Sequence, residues 1–279
     1  MAFSLRRFSA PVLSLAVAAA ALAGASVSEP RVTDASDDLR PAFASTCIGY
    51  CKHPTNAAKV FRWGLEEWRQ EFEVGTLGSN WKSNRPRMVR QQVGMLTINA
   101  RPRHPQVVVW ASDQSARYGR WEARVRAVEW DRGRPSRRFH WELVPTGGER
   151  CTADTLTLAS YKPDDATVRG ALRTGRNDEF SFGKSLDLRS RAWHTYAVEI
   201  TPKRVSWFVD TKVIHSETRP AALDGVALRP QFRLERDTSE WANRSRMQMD
   251  WVRYYDLDRP NAKSTDAPGM QLRTFDGTC

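Results

Sequence analysis

Short segments in which apolar and polar residues alternate recur through the middle of this sequence, separated by turn residues. In residues 121–129, for example, Trp121 and Ala123 share one face, whereas Glu122 and Arg124 share the other. This period of two predicts a half-buried β-strand. Similar patterns predict strands over residues 94–100, 155–159, 195–200, 205–209 and 247–255.

Turns and the near absence of helical periodicity complete this pattern. Residues 201–204 and 210–212 fit tight hairpin turns, and only residues 57–68 carry a helix-like pattern. Many short strands joined by regular turns are typical of sandwiches and jelly rolls. We therefore predict an all-β fold made of two antiparallel sheets.

The N-terminus has the pattern of a secretory signal peptide over residues 1–25. Arg6 and Arg7 precede an apolar run at residues 11–22, and small residues follow at 23–25. The run is short for a membrane span. We expect an exported, extracellular protein whose mature chain carries no membrane span, with a spacer at 26–58, one sandwich domain at 59–257 and an irregular tail at 258–279.

Net charge and cysteine content indicate which kinds of partner and which compartment suit this chain. Removal of Arg6 and Arg7 lowers the formal charge from +11 to +9, so the mature chain stays basic. A basic surface attracts anionic partners such as acidic glycans, although scattered arginines also fit an ordinary solvated surface. No motif supports nucleic-acid binding. The four cysteines predict structural disulfides in an exported protein, and three pairings are open for Cys47, Cys51, Cys151 and Cys279.

Several ordered segments resemble glycoside hydrolase family 16, which has a concanavalin-like jelly roll with a concave glycan groove. The resemblance extends from about residue 71 to residue 255. It is carried by Glu71-Phe72, Trp81 and segments 118–125, 143–145, 193–199 and 249–255. The resemblance implies a polysaccharide partner, a monomer, and no required cofactor.

The family's catalytic strand reads E-x-D-x-x-E followed by an aromatic residue. Aligning Tyr161 with that aromatic places Thr155, Thr157 and Ser160 at the three acidic positions. A bulge is needed to bring the third position to the face of the first two. The retaining mechanism uses two carboxyl groups about 5 Å apart. The resemblance therefore implies that this chain has the family's fold but lacks the acidic side chains of its catalytic strand.

Other residues are candidates for the groove. Glu142 falls where the family has a cleft tryptophan, and it is either a displaced acid or an exposed strand-edge glutamate. Residues 168–173 match a family strand that carries a histidine, and here the strand has arginine instead. Because aromatic rings stack on sugar faces, the predicted glycan contacts are Trp110, Trp130, Glu142, Tyr161 and Trp241. Asp250 matches a family position that can hold calcium, with an ordinary salt bridge as the alternative.

Three functions remain open. The first is glycan binding without cleavage. The second is an endo-acting glycoside hydrolase that uses displaced acids such as Glu142, Glu149 or Asp154. The third is a cell-envelope structural protein. Fold alone does not choose among them.

Overall fold

The computed structural model describes residues 56–73, 77–131, 133–147, 154–163, 165–175, 177–188, 191–223 and 225–274. They all belong to one unit that spans Lys52–Cys279. The predicted signal peptide, nearly all of the spacer and the four cysteines lie outside the described residues. Within the described part of the chain, no helix is long and apolar enough to span a membrane.

The described residues form short helices and sixteen strands. In chain order the elements are α1 (Ala57–Phe61), β1 (Trp68–Gln70), β2 (Trp81–Ser83), a 3-10 turn (Pro86–Met88), β3 (Val89–Gln92), β4 (Met95–Ala100), β5 (Gln106–Ala111), β6 (Gly119–Trp130), β7 (Arg137–Pro145), β8 (Thr155–Tyr161), β9 (Thr167–Arg173), β10 (Asp178–Ser185), β11 (His194–Ile200), β12 (Val205–Val209), β13 (Lys212–Glu217), α2 (Pro220–Leu223), β14 (Leu228–Arg236), β15 (Arg244–Tyr255) and β16 (Gln271–Thr274). The six predicted strands are confirmed.

The strands form two antiparallel sheets of eight. Sheet I has the order β13-β12-β11-β6-β15-β4-β3, and β1 also pairs with β15. Sheet II has the order β16-β10-β9-β8-β7-β14-β5-β2. The predicted all-β sandwich is therefore confirmed.

The core lies between the inner faces of the two sheets. Trp121 and Tyr196 are fully buried from sheet I, and Trp141 and Phe232 from sheet II. The Trp141 ring stacks on Phe232 at 4.6 Å between centroids. Its indole Nε1 donates to the carbonyl oxygen of Tyr196 across the core at 3.4 Å. Burying these rings, together with the other apolar residues of the same core, supplies the driving force that holds the two sheets together.

The outer face of β6 is also buried, which the alternating pattern did not predict. Glu122 is fully buried, and Arg124 is nearly so. The reason for Glu122 is that α1 packs on this face, and the backbone N–H of Ala57 donates to its Oε1 at 2.6 Å. The helix is shorter than the predicted 57–68 pattern, because left-handed backbone at Arg62 ends it.

The predicted irregular tail is partly wrong. Residues 271–274 form β16, which pairs with β10 at the edge of sheet II. Before that strand, buried Thr265 accepts from Arg204 and bonds Glu199 of β11. An added strand satisfies backbone groups that an edge leaves unpaired, so the tail completes the sandwich.

Candidate functional site

A bulge in β8 decides which of its side chains leave the core. Leu156 and Leu158 are buried, and the pairing with β7 and β9 shifts register between Thr157 and Ser160. The extra residue lets Ser160 emerge on the same outer face as Thr155 and Thr157. This is the arrangement that the resemblance to the family's catalytic strand requires of the third position.

Thr157 and Ser160 line a cleft on the outer face of sheet II, which we call the groove. Its enclosed volume is about 170 Å³. The polar and charged residues that line it are His140, Glu142, Thr157, Ser160, Arg169, Arg173, Glu179, Ser181, Arg233, Gln271 and Arg273. The groove therefore crosses six strands of sheet II, from β14 to β16.

Trp110 continues the same face on β5. It lies directly opposite Gln231 of β14, which in turn lies opposite Glu142 of β7. Trp110 is half-buried, and the guanidinium of Arg229 lies 5.6 Å from its ring centroid. Of the predicted aromatic contacts, Trp110 is the one that the structure places in register with the groove residues.

Glu142 is buried in the floor of the groove and fully hydrogen-bonded. Its oxygens accept from Arg233 Nη2 at 2.5 Å, Arg233 Nε at 3.1 Å and Gln231 Nε2 at 3.0 Å. Burial alone raises the pKa of Glu142, but Arg233, His140 and the hydrogen bonds from Arg233 and Gln231 lower it to about 2. The exposed strand-edge alternative is therefore wrong, and the carboxylate is ionised at neutral pH.

A second carboxylate reaches the same cluster from β14. Glu235 lies 2.9 Å from His140 Nε2 and forms an ion pair with Arg233. Burial raises the pKa of Glu235, but the hydrogen bond from His140 and the charge of Arg233 hold it far below its usual value. His140 Nδ1 lies 3.4 Å from Glu142. Burial and the charge of Arg233 lower the pKa of His140, and a neutral imidazole has a single N–H to donate to one of the two carboxylates.

Sequence reasoning missed His140, Gln231, Arg233 and Glu235. No histidine is near Ser160 in the sequence, yet His140 lies directly opposite Ser160 in the sheet. The alternation of residues 228–236, with Leu228, Phe232 and Leu234 inward, was the available signal for β14.

Three of the predicted glycan contacts lie outside the groove. Tyr161 points into the core because it follows Ser160 by one residue, and its ring stacks on Phe139 at 5.7 Å. Trp130 lies on the outer face of sheet I beside Arg244. Trp241 is half-exposed and lines a separate recess with Arg101, Arg103 and Arg134. These three residues were wrong as groove contacts.

The arginine-bearing strand that the sequence indicated is β9. Arg169 is exposed and lies opposite Ser160. Arg173 pairs with Glu179 at 2.7 Å. Of the suggested displaced acids other than Glu142, Asp154 accepts from the backbone N–H of Gly175 at 2.6 Å, and Glu149 lies outside the described residues.

Asp250 forms the salt bridge that the sequence offered as the alternative to a calcium site. Its Oδ2 lies 2.5 Å from Arg124 Nη1, so the Asp250 carboxylate is already engaged in an ion pair with a guanidinium. Calcium requires six to eight oxygen ligands. Within the described ranges, no three His, Cys, Asp or Glu side chains come together as metal ligands.

Comparison with known proteins places the fold. No protein-family model matches the chain, and no curated protein sequence matches it significantly. SCLam, a non-specific endo-β-1,3(4)-glucanase of glycoside hydrolase family 16, superposes with a TM-score of 0.59 and 15% identity over 69% of this chain and 91% of its own. The laminarinase catalytic domain of Thermotoga maritima superposes with a TM-score of 0.57 and 14% sequence identity. The match covers 70% of this chain and 99% of the laminarinase domain.

A Glu-to-Ser variant of SCLam is also similar, with a TM-score of 0.60 and 14% identity over 69% of this chain and 94% of that one. It was co-crystallised with an oligosaccharide and presents 1,3-β-D-cellobiosyl-glucose at its active site. Identity at this level establishes fold alone. This chain has the β-sandwich fold of the family 16 glucanases and laminarinases.

Proposed function

We propose that this protein binds a β-glucan-like polysaccharide in the groove without cleaving it. One observation carries the proposal. The bulged strand β8 presents Thr155, Thr157 and Ser160 on the groove face, where the resemblance to family 16 places the three catalytic acids. The shape of the catalytic strand is kept, but none of these three side chains is a carboxylic acid.

The charge cluster in the groove floor supports binding over hydrolysis. Glycoside hydrolysis uses a protonated acid beside an ionised carboxylate. Glu142 has its pKa lowered to about 2, and Glu235 is held ionised by His140 and Arg233. Neither group has a proton to donate at neutral pH. Both are engaged in ion pairs that lock their orientation.

The proposed contacts combine ring stacking with hydrogen bonds. Trp110 supplies an aromatic surface for the apolar face of a sugar. Thr157, Ser160 and Arg169 supply hydroxyl and guanidinium groups for sugar hydroxyls. The solved glucanases of this fold support a glucan as the ligand. The SCLam variant supports retention of an oligosaccharide by a family 16 protein with serine in place of glutamate.

The proposal includes the setting expected from the sequence. The protein acts outside the cell as a monomer, requires no cofactor, and its cysteines form structural disulfides. Nucleic acid is not the proposed partner of the groove.

The test measures binding and cleavage in the same samples. The purified protein is incubated with laminarin, mixed-linkage β-glucan, curdlan and galactan, and both retention and reducing-end release are measured. We expect retention on a β-glucan without release. The Trp110→Ala variant should lose retention, whereas Trp241→Ala, which removes a tryptophan outside the groove, should keep it.

Two results would contradict this proposal. Reducing-end release that disappears in Glu142→Gln would establish a hydrolase with displaced acids. Absence of both retention and release on every polymer would favour a structural protein of the cell envelope.

A further inference from the structure

The outer face of sheet I carries a recess lined by arginine, on the side of the sandwich opposite the groove. The recess encloses about 450 Å³, and its charged lining residues are Arg87, Arg90, Arg101, Arg244 and Arg246. Trp130 and Asn99 complete its polar and aromatic wall. We call it the arginine recess. No aspartate or glutamate lines it.

A second recess adjoins the first. It encloses about 370 Å³, and Arg101, Arg103, Arg134, His104 and Trp241 line it. Arg101 belongs to both, so the two form a continuous basic surface. Among the described residues, none of these seven arginines forms an ion pair. Like charges gathered without counter-charges repel one another, and an anionic ligand relieves that repulsion.

Stacking on tryptophan holds several of the guanidinium groups in place. Arg244 and Arg246 lie 5.4 Å and 5.2 Å from the ring centroid of Trp130. Arg246 Nε also donates to Asn99 Oδ1 at 2.9 Å. A stacked guanidinium keeps its N–H edge available for carboxylate or sulfate oxygens. The side chains are therefore oriented before a ligand arrives.

The loop that carries Arg101 and Arg103 is fixed from inside the protein. Arg137 is fully buried, and its Nη1 and Nη2 donate to the carbonyl oxygens of His104 at 2.8 Å and Arg101 at 2.7 Å. Its Nε donates to the carbonyl oxygen of Asn243, which follows Trp241 by two residues. One buried cation thus holds both sides of the second recess.

The basic surface continues along β6. The guanidinium of Arg126 lies 4.4 Å from the ring centroid of Trp193 and donates to Gln248 at 2.8 Å. Burial and the charges of Arg124 and Arg191 lower the pKa of Arg126. A track of cationic sites longer than one recess suits a polymer that carries anionic groups at intervals.

We propose that this surface binds an acidic polysaccharide, with the arginine recess holding its carboxylate or sulfate groups. Single-stranded nucleic acid is disfavoured because two guanidiniums already lie over each of Trp130 and Trp241, and non-specific binding of single strands relies on free aromatic rings. A flat bilayer surface is disfavoured because the sites are concave. The inference does not rest on the proposed function of the groove.

The test measures affinity for alginate and dextran sulfate, with neutral dextran, duplex DNA and phosphatidylserine-containing vesicles as comparison ligands at physiological salt. The Arg244→Glu/Arg246→Glu variant should bind the acidic polysaccharides at least about tenfold more weakly, because reversed charges repel the ligand. Lys203→Glu/Lys212→Glu makes the same change in net charge at two hairpin turns outside the recess, one at each end of β12, and should retain affinity. Trp110→Ala, which alters only the groove, should also retain it.

Folding of each variant is checked by its thermal unfolding transition, and Arg87→Glu/Arg90→Glu replaces the first variant if that one does not fold. Equal losses in the recess and hairpin variants would reduce the effect to net charge and overturn the proposal. Absence of binding to both acidic polysaccharides would also overturn it. Tighter binding to DNA or to vesicles would show that the partner class is wrong.

Discussion

Thr157 lies directly opposite Glu142 across β7 and β8, so a carboxylate from the neighbouring strand faces the middle of β8. Arg233 of β14 binds that carboxylate through two nitrogens. Glu142 and Arg233 therefore form a buried ion pair in the floor of the groove. The two hydrogen bonds fix the orientation of both side chains in the groove floor.

We expect Glu142→Gln to destabilise the protein by about 3 kcal/mol, because removing one partner of a buried ion pair leaves charge uncompensated. Arg233 keeps its contact with Glu235, which limits the loss. The measurement is chemical denaturation. In a double-mutant cycle, Glu142→Leu/Arg233→Met should cost less than the sum of the two single changes. Additive costs would show that the two side chains are not coupled.

Replacing Trp110 should weaken glucan binding and leave folding intact. Loss of one ring stack costs about 1 kcal/mol, which is about fivefold in affinity. Isothermal titration with a soluble β-glucan measures it. Trp241→Ala is the matched control, since Trp241 is half-exposed and lies outside the groove. If only Trp241→Ala lost affinity for the β-glucan, the glucan site would lie outside the groove of sheet II.

Stability should fall as pH rises from about 5 to about 8, and Glu122 is the cause. Burial raises the pKa of Glu122 to about 8, despite a hydrogen bond from the backbone of Ala57. The folded state therefore holds a proton that the unfolded state releases near pH 4.5, and this contribution disappears as the folded group ionises. Thermal unfolding at several pH values measures the effect. In Glu122→Gln this part of the pH dependence should be gone.

Gly119 at the start of β6 should not tolerate a side chain. Its φ is +126°, and a Cβ there would overlap the ring of Tyr254, whose hydroxyl donates to the carbonyl of Tyr118 at 2.9 Å. We expect Gly119→Ala to cost about 2 kcal/mol or more, measured by denaturation. Gly133→Ala is the control, because no atom lies within 4 Å of its added Cβ. Similar costs for both would remove the steric explanation.

The sequence predicted the strands that are half-buried and regular. Alternation placed Trp121 and Ala123 inward, and both are fully buried. It failed at Glu122, because the packing of α1 on the outer face is a long-range contact that no local pattern encodes. It also failed at residues 271–274, since a short polar strand owes its pairing to the open edge of β10.

The sequence by itself determined the sandwich fold, whereas the bulge that puts Thr157 and Ser160 on one face of β8 is a register shift against β7 and β9. Period-two burial is a local property, so one chain displays it directly. Tertiary structure alone decided which charges meet. Glu142 is 91 residues from Arg233, and Arg90 is more than 150 residues from Arg246. Pairing between distant strands creates both the ion-paired cluster of the groove and the arginine recess of the opposite sheet.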